Sequence, residues 1–338
     1  MGNKSVDIVV IGRNEGDLLR KALESSMRIA EEYAKLGNPR PEIIYVDGQS
    51  TDGSLELAKS LGVKVCIVKQ RPNPAAGRHT AFQYCKAEYV FFLDGDMEVY
   101  SDWLPRAVSF LESNNDIAGV AGYCDWEVYE GDRVVRIPNH SGIKKFGELV
   151  TTDVGGAFLY KRSVLQETGD FDPTMIRNGE FELYLRILAK GYKLAYLTIP
   201  MCVHRDKKGN MGLSFVKRTL LTKNVFIPGV VARKAPKTKS TYEILFKRYW
   251  LYLWHLISIL IICCMLLTLN FQISIKLTIL ILTISQLFYT HWIYKNKSLV
   301  RTVVSLFTIN IYIISFIIGY LLNWPNIGGF YKNKYDRS

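Results

Sequence analysis

The sequence predicts an α/β fold with a mostly parallel central sheet, followed by C-terminal transmembrane helices. Three observations predict it. Short apolar runs alternate with segments of helical spacing from Val6 to His204, the pattern of right-handed βαβ crossovers and a parallel sheet. Several of those runs end abruptly in glycine or a carboxylate. Beyond them, Tyr249 to Ile275, Leu277 to Tyr294 and Thr302 to Tyr331 contain no Asp, Glu, Lys or Arg. Each is long enough to contain a membrane-spanning helix.

The elements follow in order. Val6 to Gly12 is an apolar run ending in glycine and reads as the first strand. Arg13-Asn14-Glu15-Gly16 is a turn, and Asp17 to Glu24 has helical spacing. Glu42 to Asp47 is the second strand, ending in a carboxylate, and the turn formers Gly48 to Ser54 follow it. Leu55 to Leu61 is a helix closed by Gly62, and Val63 to Val68 is the third strand. Pro72-Asn73-Pro74 breaks the chain before a helix over Ala75 to Lys86. Tyr89 to Leu93 is a fourth strand, bulky and apolar enough to be buried on both faces. It ends in Asp94-Gly95-Asp96.

That triplet admits two readings. It is either a polar turn or a site where two carboxylates meet a hard divalent cation and diphosphate oxygens. Parallel strands put Asp47 and Asp94 on one sheet edge, where ligands of open α/β sheets bind.

Ser101 to Asn115 is helical, with Ser101 or Asp102 as N-cap. Ile117 to Tyr123 is a strand and Gly131 to Asn139 a hairpin or loop. Gly155-Gly156 before the apolar run Ala157 to Tyr160 either lets backbone approach a ligand or marks a bulge. Glu180 to Lys190 is a helix with Phe181, Leu185, Leu188 and Ala189 on its apolar side, and Lys193 to Val203 is a strand ending at His204. Glu180 and Glu182 suit a helix N-terminus on electrostatic grounds alone. The functional reading is that Glu180 projects into the site as a general base.

The formal charge is +12, and it is concentrated. From Arg205 to Arg248 there are twelve Lys or Arg against Asp206 and Glu243. A basic stretch directly before apolar segments favours anionic lipid over nucleic acid as its partner. Val216 to Val231 reads as an amphipathic helix lying on the membrane. No signal peptide is evident at Met1 to Gly12. The six cysteines form no Cys-x-x-Cys pair and read as reduced, structural residues of a cytoplasmic domain. The organisation is therefore an α/β domain over 1–212, a basic juxtamembrane or amphipathic segment over 213–248, about three membrane helices over 249–325 and a tail over 326–338.

Several motifs together resemble the family 2 glycosyltransferases of GT-A fold. They are Ile11-Gly12-Arg13-Asn14-Glu15, Val46-Asp47-Gly48-Gln49-Ser50-Thr51-Asp52-Gly53-Ser54, Ala75-Ala76-Gly77-Arg78, Asp94-Gly95-Asp96, Gly155-Gly156, Gly169-Asp170-Phe171-Asp172, Gly179-Glu180-Phe181-Glu182 and His204. They occur in the family's order. The resemblance implies transfer of a sugar from a nucleotide-diphosphate donor, with inversion. It implies that Asp47 contacts the donor base, that Ile11, Arg13 and Glu15 line the nucleoside pocket, and that Arg78 lies near base or diphosphate, with Gly156 close to the donor. Asp94 would hold ribose or metal, Asp96 would bind Mg²⁺ or Mn²⁺, and His204 would reach metal or diphosphate.

Two departures stand out. Gly179-Glu180 replaces the usual acidic pair, which makes Glu182 a rival base. Gly48 stands where many members have a second Asp. The expected acceptor is a lipid-linked or cell-surface glycan at the cytoplasmic membrane face. A polyprenyl-phosphate acceptor is the nearest alternative, and a non-catalytic nucleotide-sugar-binding scaffold the next.

Overall fold

The structure, a computed structural model, describes residues 3–130, 133–138, 145–150, 155–205, 226–268, 273, 275, 277 and 315–322. The chain divides into two compact units, one of residues 1–217 with 235–241 and one of 218–234 with 242–338.

The first unit is built on one sheet. β1 (Val6–Gly12) is flanked by β2 (Glu42–Asp47) and β4 (Tyr89–Asp94), and β3 (Lys64–Ile67) lies outside β2. These four strands are parallel. The residues of β1, β2 and β4 are almost wholly buried, as near-continuous apolar runs require. Helices α1 (Asp17–Lys35), α2 (Ser54–Ser60) and α3 (Pro74–Phe82) make the crossovers. α3 starts where the sequence puts its strongest stop-and-start signal. Asn73 Oδ1 accepts the Ala76 N–H at 2.9 Å, and Pro74 occupies the first turn, where its missing N–H costs nothing.

The other half of the sheet corrects the expectation of mostly parallel pairing. β9 (Phe158–Lys161) inserts antiparallel between β4 and β6 (Ile117–Glu130). β10 (Lys193–Arg205) runs parallel to β6, and β5 (Met97–Val99) pairs antiparallel with the end of β10. β7 (Arg133–Ile137) forms a hairpin with β6, and β8 (Glu148–Leu149) pairs with β10. The sheet is mixed. β5 and β8 are too short to carry a periodic signal. Helices α4 (Trp103–Ser113), α5 (Arg162–Thr168) and α6 (Gly179–Ala189) complete this half. On α6 the buried side includes Phe181, Leu183, Tyr184, Leu185 and Ile187. Leu188 and Ala189, expected there, are only half-buried.

The second unit contains α7 (Ile227–Lys234) and most of α8 (Lys239–Thr268). The expected three membrane helices are not supported. Among the described residues no helix is long and apolar enough to cross a membrane. Tyr249 to Thr268 falls within α8, but several of its side chains lie outside the described set. Thr278 to Tyr294, most of Thr302 to Tyr331, the tail over 326–338 and Val216 to Lys223 also lie outside the described residues.

Candidate active site

The parallel register brings the strand ends together. Ile11 of β1 pairs with Val46 on one side and Asp94 on the other, and Gly12 pairs with Asp47. The β1 carbonyls then hold the next loops. Ile11 O accepts from Gly95 N at 2.7 Å and Gly12 O from Gly48 N at 2.8 Å. A Cβ at position 48 would press on Arg13 Cβ at 3.0 Å and the Gly12 carbonyl oxygen at 3.1 Å.

Asp47 and Asp94 end equivalent strands and have different surroundings. Asp47 is 1% exposed. Its Oδ1 accepts from Tyr45 Oη at 3.0 Å and its Oδ2 from Ser50 N at 2.8 Å. It caps its own loop. That loop is tied to the one after β1 through Asn14, whose N–H donates to Ser50 Oγ and whose Oδ1 accepts from Thr51 N. Ile11 is buried, with Cγ2 3.3 Å from the point a Gly77 Cβ would occupy, while Arg13 is exposed and Glu15 half-buried.

Asp94 has no such local donors. Its partner is Arg78 on α3, a fully buried guanidinium. Arg78 Nη2 donates to Asp94 Oδ1 at 2.6 Å and to Gly156 O at 3.1 Å, and Nη1 donates to Glu180 Oε1 at 2.6 Å. Burial raises the Asp94 pKa to about 6; Arg78 opposes that rise, and the neighbouring Asp96 and Glu180 add to it. Gly156 leaves room for this pair, since a Cβ there would have to displace Asp94 Oδ2 or Arg78 Nη2. The close approach expected at Gly155-Gly156 is thus made to this ion triad.

Glu180 arrives through helix packing. A Cβ at Gly179 would lie 2.9 Å from Ala75 Cβ, so glycine lets α6 close on α3. Arg78, one turn after Ala75, then reaches Glu180. This gives the departure at Gly179 a physical cause. Glu182 is engaged elsewhere. It is buried and bidentate to Arg186, with Nε to Oε1 and Nη2 to Oε2 both at 2.8 Å. Arg186 also donates to the carbonyls of Thr168, Gly169 and Asp170. Glu182 therefore anchors the turn at Gly169-Asp170.

Asp96 is brought to His204 by β5 and β10. Met97 pairs with His204, and Arg205 N donates to Asp96 O at 2.9 Å. His204 Nε2 and Asp96 Oδ2 are 3.1 Å apart. Burial works against the His204 imidazolium, but hydrogen bonding to and attraction by Asp96 prevail and lift its pKa to about 9. Asp96 Oδ1 is buried and has no hydrogen-bond partner. An orphaned carboxylate oxygen near a second carboxylate is a donor that a hard divalent cation would suit, although among the described residues no group of three or more His, Cys, Asp or Glu converges.

Two neighbours carried no sequence signal. Trp126 of β6 packs edge-on against His204, with ring centroids 4.6 Å apart. The Tyr160 hydroxyl is buried without a partner, and burial, followed by the nearby Glu180 charge, raises its pKa. Only pairing across the sheet places them. A separate cavity of about 450 Å³, lined by Tyr100, Trp103, Arg106, Asp125 and Arg136, contains none of the predicted residues.

Residues 7–169 match the family model described as Glycosyl transferase family 2. Glu180 and His204 lie beyond the matched residues. The chain is 23% identical over 203 residues to glycosyltransferase AglE of Haloferax volcanii, covering 56% of this chain and 64% of that protein. It is 32% identical over 122 residues to an undecaprenyl-phosphate 4-deoxy-4-formamido-L-arabinose transferase of Pseudomonas savastanoi pv. phaseolicola, covering 34% and 35%. The chain thus spans less than two thirds of the length of these curated relatives. Among solved structures it resembles the mannosyltransferase PcManGT of Pyrobaculum calidifontis in complex with GDP-Man and Mn²⁺. That likeness has a TM-score of 0.57 at 16% identity and covers 96% of this chain and 89% of that one. It bears on the fold, which is GT-A-like.

Proposed function

On the premise that residues 7–169 are a Glycosyl transferase family 2 domain, we propose that this protein is an inverting, metal-dependent glycosyltransferase. It moves a sugar from a nucleotide-diphosphate donor to a lipid-linked or cell-surface glycan at the cytoplasmic membrane face. The observation that carries this reading is the Arg78 bridge. One buried guanidinium joins the strand-end carboxylate Asp94 to the helix-borne carboxylate Glu180, while Asp96 and His204 stand alongside.

The reading assigns each residue a role. Arg78 holds Oε1 of Glu180, which fixes the side chain so that its other oxygen can take the proton of an acceptor hydroxyl. Loss of that proton accompanies attack at the anomeric carbon through an oxocarbenium-like state. Asp96 and His204, with Asp94 adjacent, would hold Mg²⁺ or Mn²⁺. Such an ion neutralises charge on a leaving diphosphate. The loops after β1 and β2, with Ile11, Arg13, Glu15 and Asp47, line the nucleoside side of the site.

Membrane attachment is part of the proposal. It rests on the charge-free stretches of the sequence and on the exposed apolar side chains Leu253, Trp254, Ile257, Leu260, Ile261 and Leu267 along α8. An exposed apolar row of that kind marks a contact surface.

One observation favours a second acceptor. The relative from P. savastanoi is named for undecaprenyl phosphate, so the lipid phosphate itself is the alternative. The residues after the DxD triplet, Met97-Glu98-Val99-Tyr100, lack the Gln-x-Pro-Pro pattern expected of that class.

The test is thermal stabilisation of the detergent-solubilised protein by UDP, GDP, dTDP and CMP, with and without Mn²⁺. A ligand at 100 times its dissociation constant adds about 2.7 kcal/mol. Stabilisation by one nucleotide that requires metal and is lost in Asp96→Ala supports the reading. A folded protein that no nucleotide stabilises overturns it. Transfer of labelled sugar to undecaprenyl phosphate rather than to a lipid-linked glycan would select the second acceptor.

A further inference from the structure

We propose that Cys124 and Cys202 are a dithiol site that closes reversibly into a disulfide between β6 and β10. Both cysteines are free in this structure. Their sulfur atoms are 3.2 Å apart, with the Cys202 thiol donating to Cys124 Sγ. The two residues are direct register partners on neighbouring parallel strands. Neighbouring strands lie about 4.8 Å apart, inside the Cα separation of about 4.4–6.8 Å that a disulfide needs. A spacing of that size between paired strands is compatible with closure. By contrast the Cys85 thiol, three residues past the end of α3, turns back to that helix and donates to Ala81 O. Cys124 and Cys202 are 78 residues apart, so no Cys-x-x-Cys spacing announces them.

Exposure assigns the two sulfurs different parts. Cys202 is wholly buried, while Cys124 is half-buried. Cys124 is the sulfur that a small disulfide such as oxidised glutathione can reach. Its sulfur attacks one sulfur of the oxidant, the oxidant's S–S bond breaks, and one glutathione leaves as a thiol carrying the Cys124 proton. Cys202 then attacks the Cys124 sulfur of the mixed disulfide. The second glutathione leaves with the Cys202 proton. The protein loses two electrons and two protons, and the oxidant gains both.

The position gives the bond consequence. Two residues further along the same strands stand Trp126 and His204, again in register and in ring contact. The disulfide would brace β6 to β10 directly beneath them. A reducing compartment would keep the strands joined by hydrogen bonds alone, and an oxidising one would join them covalently.

The experiment uses the full chain in detergent. Protein is incubated with oxidised glutathione, remaining thiols are alkylated, and peptides are mapped without reduction by mass spectrometry. The expected result is a linked pair of peptides carrying Cys124 and Cys202, lighter by two hydrogens, released by dithiothreitol, with no glutathione left on either. Cys202→Ser is expected to trap glutathione on Cys124, and Cys124→Ser to leave Cys202 unmodified. Recovery of both cysteines alkylated on separate peptides, or linked only to other cysteines or between chains, overturns the proposal. The wild-type map decides the matter even if either variant fails to fold.

Discussion

The ends of β2 and β4 are chemically alike and are satisfied differently. Both are buried apolar strands that stop at an aspartate on the same sheet edge. Asp47 finds its donors within three residues, in Tyr45 and Ser50. Asp94 finds its donor 16 residues away on α3, in an arginine that also grips Glu180, 102 residues from itself. A strand-end carboxylate satisfied by its own loop is a cap. One satisfied only through a shared distant cation belongs to a cluster, and it stays a third exposed.

The sharpest way to break this contrast is at Glu180. Glu180→Gln keeps the shape and a hydrogen bond from Arg78 but removes the base. We expect transfer to fall about 10²–10⁴-fold while nucleotide-dependent stabilisation survives. Turnover close to wild type would remove Glu180 from the role. Glu182→Gln, tested beside it, should lower the melting temperature and leave the turnover of the folded fraction intact.

Next in size is Arg78→Met. It leaves Asp94 and Glu180 facing each other without their shared cation. Breaking a buried ion cluster from one side costs about 3–5 kcal/mol, measurable by chemical denaturation. A loss below that of Asp47→Asn would show that the two strand ends are held alike after all.

His204 gives a smaller effect with a distinct signature. Its folded pKa of about 9 lies above the unfolded value of 6.5. Its pairing with Asp96 therefore stabilises the metal-free protein fully below about pH 6.5, and that stability is lost as pH rises through about 9. The shift corresponds to about 2 kcal/mol once partial solvent screening is allowed for. In chelator, the gap in melting temperature between wild type and His204→Ala should narrow across that window. A gap that widens with pH would reverse the assignment.

The smallest expected effect is at the cap. Tyr45→Phe removes one hydrogen bond to Asp47, worth about 1 kcal/mol, and should not alter the response to metal. Loss of nucleotide-dependent stabilisation in that variant would show that Asp47 is held in place for the donor as well as for its loop.

Much of the N-terminal half was legible because its signals are local. Strands β1 to β4, the helices between them and the carboxylates at their ends each follow from a few consecutive residues. The family motifs likewise supplied the candidates Asp94, Asp96, Glu180 and His204, which the fold brings into contact through Arg78 or directly. What stayed hidden depended on pairings between distant segments. Nothing near Phe158 announces that β9 will run antiparallel beside β4, and nothing near Trp126 or Cys124 points to β10. The two candidate glutamates look equivalent in the sequence. Arg186, one turn beyond Glu182, takes that carboxylate out of the site, and Gly179 lets the other approach Arg78.

The sequence alone determined the parallel core, the edge on which the carboxylates gather, the basic stretch and the apolar segments that follow it. Those features arise from periodicity and composition, which act over a few residues. The tertiary structure decided which aspartate caps and which joins the cluster, that Glu180 pairs with Arg78 while Glu182 pairs with Arg186, and that His204 meets Asp96. Each of these depends on a hydrogen bond or close contact that the chain's local pattern does not encode, and only the folded backbone brings such partners within reach.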